Sequence, residues 1–281
     1  MTSRSPIGRK ISNAILEGFS WFAVAAAILA MLCIIGTVVL KGGHAISLDF
    51  LLHRSAPYGV DDGGIANAIL GTLAITLGAS ILAIPTAILA GIFLTEFNVD
   101  SRILAALRFA ANVMMGMPSV LVGLFIYMAL VVPTGHFSGF AGSVALALLM
   151  FPVILRTTED ILNMVPNTLR ESALALGMSR TRATLSIVCR SAKNGLLTGV
   201  LLSVARVSGE TAPLLFTALF ADSWISSYFT APTPSLPVLI TEYTTNSPFA
   251  AMHLQGWGAA LVVMSLVLLL NLSARFLFKE K

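Results

Sequence analysis

Apolar runs separated by short polar stretches dominate the chain: charge-free from Trp21 to Leu40, Ile65 to Thr95, Phe109 to Val132, Gly139 to Leu155 and Gly256 to Ala274, and less pure from Gly195 to Ala221. At ~1.5 Å per helical residue, each is long enough to cross a hydrocarbon core of ~30 Å. The runs are continuously apolar rather than alternating, which selects helices over barrel strands, and a helix satisfies its own backbone where no water can. The second run exceeds the core thickness, so it is expected to tilt, bend or protrude, with Pro85 as the bending point. The pattern predicts an all-α integral membrane fold: six spans within residues 21–274, a polar N-terminal segment at 1–20 and a tail at 275–281. No small-residue cleavage site follows the first run before Lys41, so it reads as a retained span rather than a signal peptide.

Composition agrees with the pattern. The 281 residues are 57% hydrophobic and 11% charged, against roughly 25% charged in an average soluble domain, and the mean hydropathy is +0.89. A water-soluble globule is excluded. Lys and Arg number 17 against 13 Asp and Glu, with no long basic run, so nucleic acid is not an expected partner. The basic residues gather at the N-terminus, at Arg102 and Arg108, between residues 156 and 193, and at the C-terminus, while the alternate loops hold only Lys41 and Arg54. That asymmetry places both termini in the cytoplasm. Cys33 and Cys189 fall in different environments and read as free thiols.

The external loops differ in character. Residues 41–64 carry His44, Asp49, His53, Asp61 and Asp62; residues 222–255 carry Pro232, Pro234 and Pro237 before an amphipathic-looking stretch from Val238 to Asn246. Both are placed to meet a soluble partner. His44, His53, His136 and His253 show no ligand spacing, so no metal site is expected. No phosphate-cradling G-x-x-x-x-G-K-[ST] occurs, so ATP energy would have to come from another subunit. Gly71, Gly78, Gly91, Gly195 and Gly199 fit a closely packed bundle.

Two groups of residues carry candidate chemistry. The first is the cytoplasmic loop at about 156–194. Pro166 pre-sets a short helix, Gly177 can stop it in a left-handed conformation, and Ser179 can cap a second. Leu169, Ala173 and Leu176 fall on one apolar face, suited to a groove in another protein or to the membrane surface. The second is Arg206 with Glu210, four apart in an apolar run, which on a helix share a face. An unpaired charge at the bilayer centre costs roughly 2.5–3.5 kcal/mol on insertion scales, so both should face the bundle interior. One reading is a salt bridge that locks packing. The other makes Arg206 an anion ligand, because a guanidinium offers two parallel donors to an oxyanion and keeps its charge. Glu210 would then neutralise the empty site and keep it releasable. A carboxylate can also accept a hydrogen bond from a protonated phosphate oxygen, which sulfate cannot supply. Thr211, Ser208 and Ser119 are secondary hydroxyl contacts, and Pro213 and Pro118 can break their helices nearby.

Glu171-Ser172-Ala173 with Gly177 resembles the Glu-Ala-Ala-x-x-x-Gly coupling loop of ATP-binding cassette (ABC) importer permeases, although Arg190 and Ser191 stand where many permeases carry Leu-Pro. Gly63-Gly64-Ile65, Asn67 to Leu73, Gly116 to Gly123 and above all Ala205-Arg206 with Gly209 to Ala218 resemble the A-type permease subunits of phosphate-specific (Pst) importers, from about Gly63 to the C-terminus. The resemblance implies a six-helix importer transmembrane domain without catalytic residues, in a bacterial inner membrane. It would pair with a homologous second permease subunit, sit on two ATPase subunits that hold ATP and Mg, and receive phosphate from an external binding protein. Leu169, Glu171, Ser172, Ala173, Leu176 and Gly177 would dock on the ATPase and pass its closure to the pathway; Arg206, Glu210, Thr211 and Ser119 are the expected substrate contacts. An importer for sulfate or molybdate, or a secondary transporter using Arg206 and Glu210 as an ion relay, remain open alternatives.

Overall fold

The computed structural model describes residues 6–60, 63–97 and 101–277; Arg4, Asp61, Asp62, Lys279 and Lys281 lie outside them. The chain order is α1 (Pro6–Gly43), α2 (Leu48–Leu52), α3 (Ala66–Glu96), α4 (Ser101–Gly116), α5 (Ser119–Thr134), α6 (Gly139–Asn163), α7 (Asn167–Ala175), α8 (Arg180–Val207), α9 (Ala212–Thr217), α10 (Leu236–Thr241) and α11 (Ala250–Leu277). Among the described residues there is no strand. Helices α1, α3, α6, α8 and α11 are each long and apolar enough to cross a membrane, and α4 with α5 makes a sixth, broken span.

The core is the α3–α6 pair. Ile75, Ala79, Ala83 and Ala87 form a buried stripe along α3 that packs with Leu146, Met150 and Ile154 of α6. Alanine at every fourth position lets the two backbones approach closely, which is how helices gain packing energy when lipid offers no hydrophobic drive. Helix α3 runs through Pro85 without interruption. Helix α1 stands at the edge, with its apolar stretch unburied. It meets α11 at Gly42, which lies against the Trp257 carbonyl, and at Lys41, whose Nζ sits 4.9 Å from the Trp257 ring centre. It already begins at Pro6, so residues 6–20 continue the helix.

Three of the expected elements differ. The third run, Phe109 to Val132, is not one straight helix: α4 and α5 meet at 102°. Pro118 has no N–H to donate and pushes Met117 out of the helical region, so the turn falls there. The fifth run ends as helix at Val207, because Pro213 would clash with the Gly209 carbonyl and could not hydrogen-bond to it. Residues 208–211 bridge this break to α9.

The third difference is the segment after α9, which folds back into the bundle rather than standing free for a partner. Leu236, Val238, Leu239 and Tyr243 are buried. The Leu236 N–H donates to Thr72 Oγ1 at 2.8 Å, the Tyr228 hydroxyl shares a hydrogen bond with Ser143, and Ser143 Oγ donates to the Ile75 carbonyl at 2.7 Å. Tyr58 reaches over from the first loop and donates to Glu242 at 2.6 Å; burial and that carboxylate push its phenol above the usual range, so it stays a donor.

Gly71 makes the fold-back possible. A Cβ there would sit 1.8 Å from the Pro234 carbonyl oxygen. Gly71→Ala should therefore destabilise the protein by about 2 kcal/mol or more, read as a lower unfolding midpoint in detergent. Gly36→Ala, where a Cβ meets nothing within 4 Å, should leave the midpoint within about 0.5 kcal/mol.

Candidate functional site

Where α8 ends, a cavity of about 130 Å³ opens between α4, α5, α6 and α8, lined by Met114, Met115, Met117, Ser119, Leu149, Met150, Val153, Ser203, Arg206, Val207 and Glu210. At roughly 30 Å³ per molecule of liquid water, that is space for about four waters. Met150 lies near the middle of α6, so the cavity sits about halfway along that helix. Arg206 occupies the last turn of α8, where the negative end of the helix dipole favours a cation.

Arg206 and Glu210 do not share a helical face, because the helix stops at Val207 and Glu210 lies in the break. They face the same cavity from different backbone settings. Among the described residues, neither side chain forms an ion pair or hydrogen bond, so the expected packing salt bridge is not made. The Arg206 side chain is exposed in the isolated chain. Ser119, at the first turn of α5, joins them. Thr211 is not among the lining residues; its carbonyl accepts from the Leu214 and Leu215 N–H groups at the start of α9. Ser208 Oγ bonds back to the Ala205 carbonyl at 2.8 Å. Ser203 and the methionines on either side of the α4–α5 turn had not been expected here. The visible signal was Pro118, which set the turn but not the direction of α4.

Two other buried carboxylates, Glu159 and Glu96, are paired. Glu159 of α6, 1% exposed, takes Arg108 of α4 at 2.7 Å and Arg156 at 3.2 Å. Glu96, at the end of α3, takes Arg170 of α7 at 2.6 Å. The Arg170 fork is fully used: Nε donates to both Glu96 oxygens at 3.1 Å, Nη2 to Glu96 and to the Leu162 carbonyl at 2.8 Å, and Nη1 to the Val165 carbonyl at 2.6 Å and Asn167 Oδ1 at 3.2 Å. One side chain thus binds α3, the last carbonyls of α6 and the short helix α7. A polar cavity of about 340 Å³ lies beside it, with Thr95, Asn163, Asn167 and Arg180 in its wall.

Helix α7 ends as expected, with Gly177 at φ +81, and Ser179 Oγ accepts the Arg182 N–H at 3.4 Å to start α8. Leu169, Glu171, Ser172, Leu176 and Gly177 are exposed or half-exposed. Ala173 is not: it is 1% exposed, turned against the chain itself, so it does not share a free face with Leu169 and Leu176. Among the described residues no group of His, Cys, Asp and Glu is placed to hold a metal.

The family "Binding-protein-dependent transport system inner membrane component" matches residues 83–280. The chain is 41% identical over 273 residues to the phosphate transport system permease protein PstA of Haemophilus influenzae, covering 97% of this chain and 96% of that protein. It is 40% identical to the protein of the same name from Pasteurella multocida, with the same coverage. A probable PstA of Methanocaldococcus jannaschii is 37% identical over 284 residues, 98% of each chain. Among solved structures, a chain of the MetNI methionine ABC transporter in an inward-facing conformation is similar in fold, with TM-score 0.63 and 16% identity over 76% of this chain and 94% of that one.

Removing Glu159 would leave two guanidinium groups facing a buried position. Because both arginines are partly solvated, we expect Glu159→Ala to cost about 2 kcal/mol rather than the 3–5 of a fully buried pair, measured as a fall in thermal midpoint that Arg108→Ala in the same chain partly restores.

Proposed function

We infer how the site works from the family to which the chain belongs: it is a PstA-type permease, a multi-pass inner-membrane component of an ABC phosphate import system, with a transport role and no catalysis of its own. We propose that phosphate crosses at Arg206. The observation that carries this reading is a guanidinium beside the middle of α6, held in a polar notch with Glu210 and Ser119 and tied to neither. A structural arginine has its donors consumed by its partners, as Arg170 has. Arg206 keeps its parallel donors for an oxyanion that arrives and leaves.

Glu210 holds the site's net charge near zero, so that a divalent anion is not trapped. Ser119 Oγ and Ser203 Oγ offer further polar contact, while Thr211 acts through the backbone of the break. The exposed side of Arg206 is where a homologous second permease subunit closes the pathway. In this arrangement both termini, residues 1–20 and 275–281, and the loop at about 156–194 are cytoplasmic. Two ATPase subunits, carrying ATP and Mg, dock on Leu169, Glu171, Ser172, Leu176 and Gly177, with Ala173 seating the helix from behind. A soluble binding protein delivers phosphate to the external face.

Arg206→Gln should abolish phosphate uptake by the reconstituted complex, at least a hundredfold, with unchanged co-purification of the ATPase; uptake at near-normal rate would return Arg206 to a packing role. Glu210→Gln should narrow the preference for phosphate over sulfate in competition assays, since the anionic, acceptor-only carboxylate is replaced by a neutral amide that can also donate to sulfate. Gly177→Ala forces a side chain into a left-handed backbone that strains it, and with Glu171→Ala it should leave the permease in the membrane but lower transport-coupled ATP hydrolysis at least tenfold.

A further inference from the structure

The geometry points to Arg170 as a positioning residue that makes α3 a rigid rod between the ATPase-facing helix and the external fold-back segment. The proposal rests on the reading of this chain as an ATP-driven permease and adds the path by which its two faces are linked.

The lower end of the rod is Glu96, 5% exposed, clamped by the Arg170 fork. The clamp leaves α7 no freedom to tilt without moving the last turn of α3, because the same guanidinium also holds the Leu162 and Val165 carbonyls. The upper end is Gly71 and Thr72. There the Pro234 carbonyl lies where a side chain would be, and the Leu236 N–H is bound to Thr72 Oγ1. One turn and a half further along, Gly78 admits the Tyr228 hydroxyl and Ser143. From Thr72 to Glu96 is about 36 Å of uninterrupted helix at 1.5 Å per residue, stiffened along its length by the alanine stripe against α6. A stiff element held at both ends carries displacement from one end to the other, and packed interfaces switch between discrete arrangements rather than deforming smoothly.

The test exploits that distance. Changes more than about 10 Å apart normally act additively, whereas two breaks in one linkage in series do no more harm together than the worse of them alone. In proteoliposomes holding the full complex with its ATPase and binding protein, ATP hydrolysed per phosphate imported is measured for Glu96→Gln, Thr72→Val and the double variant. We expect a rise of about tenfold for Glu96→Gln, about threefold for Thr72→Val, and about tenfold, not thirtyfold, for both. Additive behaviour, or an unchanged ratio in Glu96→Gln, overturns the rod. If Glu96→Gln fails to assemble, Glu96→Asp, which keeps the charge and withdraws the carboxylate, carries the same criterion.

A second readout is independent of the substrate. With Cys33 and Cys189 replaced by serine, Ser226→Cys in the exposed part of the fold-back segment is labelled by a membrane-impermeant maleimide, with and without ATP and orthovanadate. Labelling should change several-fold with nucleotide in the parent and stay constant in Glu96→Gln while ATP is still hydrolysed. A nucleotide response that survives in Glu96→Gln sinks the rod alone. A parent that responds to nucleotide but imports no phosphate sinks the phosphate reading alone.

Discussion

Charge taken out of water must be matched or hydrated, and this molecule uses the two solutions in different places. Glu159 and Glu96 are matched, each by arginines drawn from another part of the chain, and there the helices are fastened to one another. Arg206 and Glu210 are given a cavity instead. Had Arg206 been matched as Arg170 is, its donors would be spent and its position would be mere scaffold. The cost of burying an ion thus sorts the charged residues into those that hold the bundle and, on the proposed reading, those left for passing cargo.

The close approaches serve the same division. Gly71 under the Pro234 carbonyl and Gly123 under Pro213 bring the irregular segments against α3 and α5 without a gap. Non-helical backbone at this depth survives only where protein or water satisfies it. The segment from residue 208 to 247 meets that condition through the Thr72 hydroxyl, which accepts the Leu236 N–H, and through the Ser138 and Phe140 N–H groups, which donate to the Thr217 and Tyr228 carbonyls, so its irregularity is built in rather than loose.

Much of this was legible before any coordinates. Hydropathy marks five spans, and Pro166, Gly177 and Ser179 delimit the short helix α7 by local rules that tertiary context did not override. What was not legible is tertiary in origin. Hydropathy reads Phe109 to Val132 as one crossing, because apolarity does not record the angle at which Pro118 redirects the chain. The i, i+4 spacing of Arg206 and Glu210 suggests a shared face only while the helix continues, and Pro213 already signalled that it does not. Ala173 looks like part of a docking face until its neighbour is known to be the chain itself. Glu96 lies at a helix end far in sequence from Arg170, so no spacing rule joins them.

The turn between α4 and α5 also alters the electrical shape of the membrane. With α4 swung 102° aside, only the 16 residues of α5 remain to cross on that side, about 24 Å of helix against a hydrocarbon slab of ~30 Å. On the proposed reading, a hydrated pathway beside that turn would make the transmembrane voltage fall across a thinner septum close to Arg206. An anion entering a cell whose interior is negative does work of about 2.3 kcal/mol per charge for each 100 mV. On the proposed reading, that work is gathered into the few ångströms around one arginine, the step at which the nucleotide-driven stroke would deliver its force.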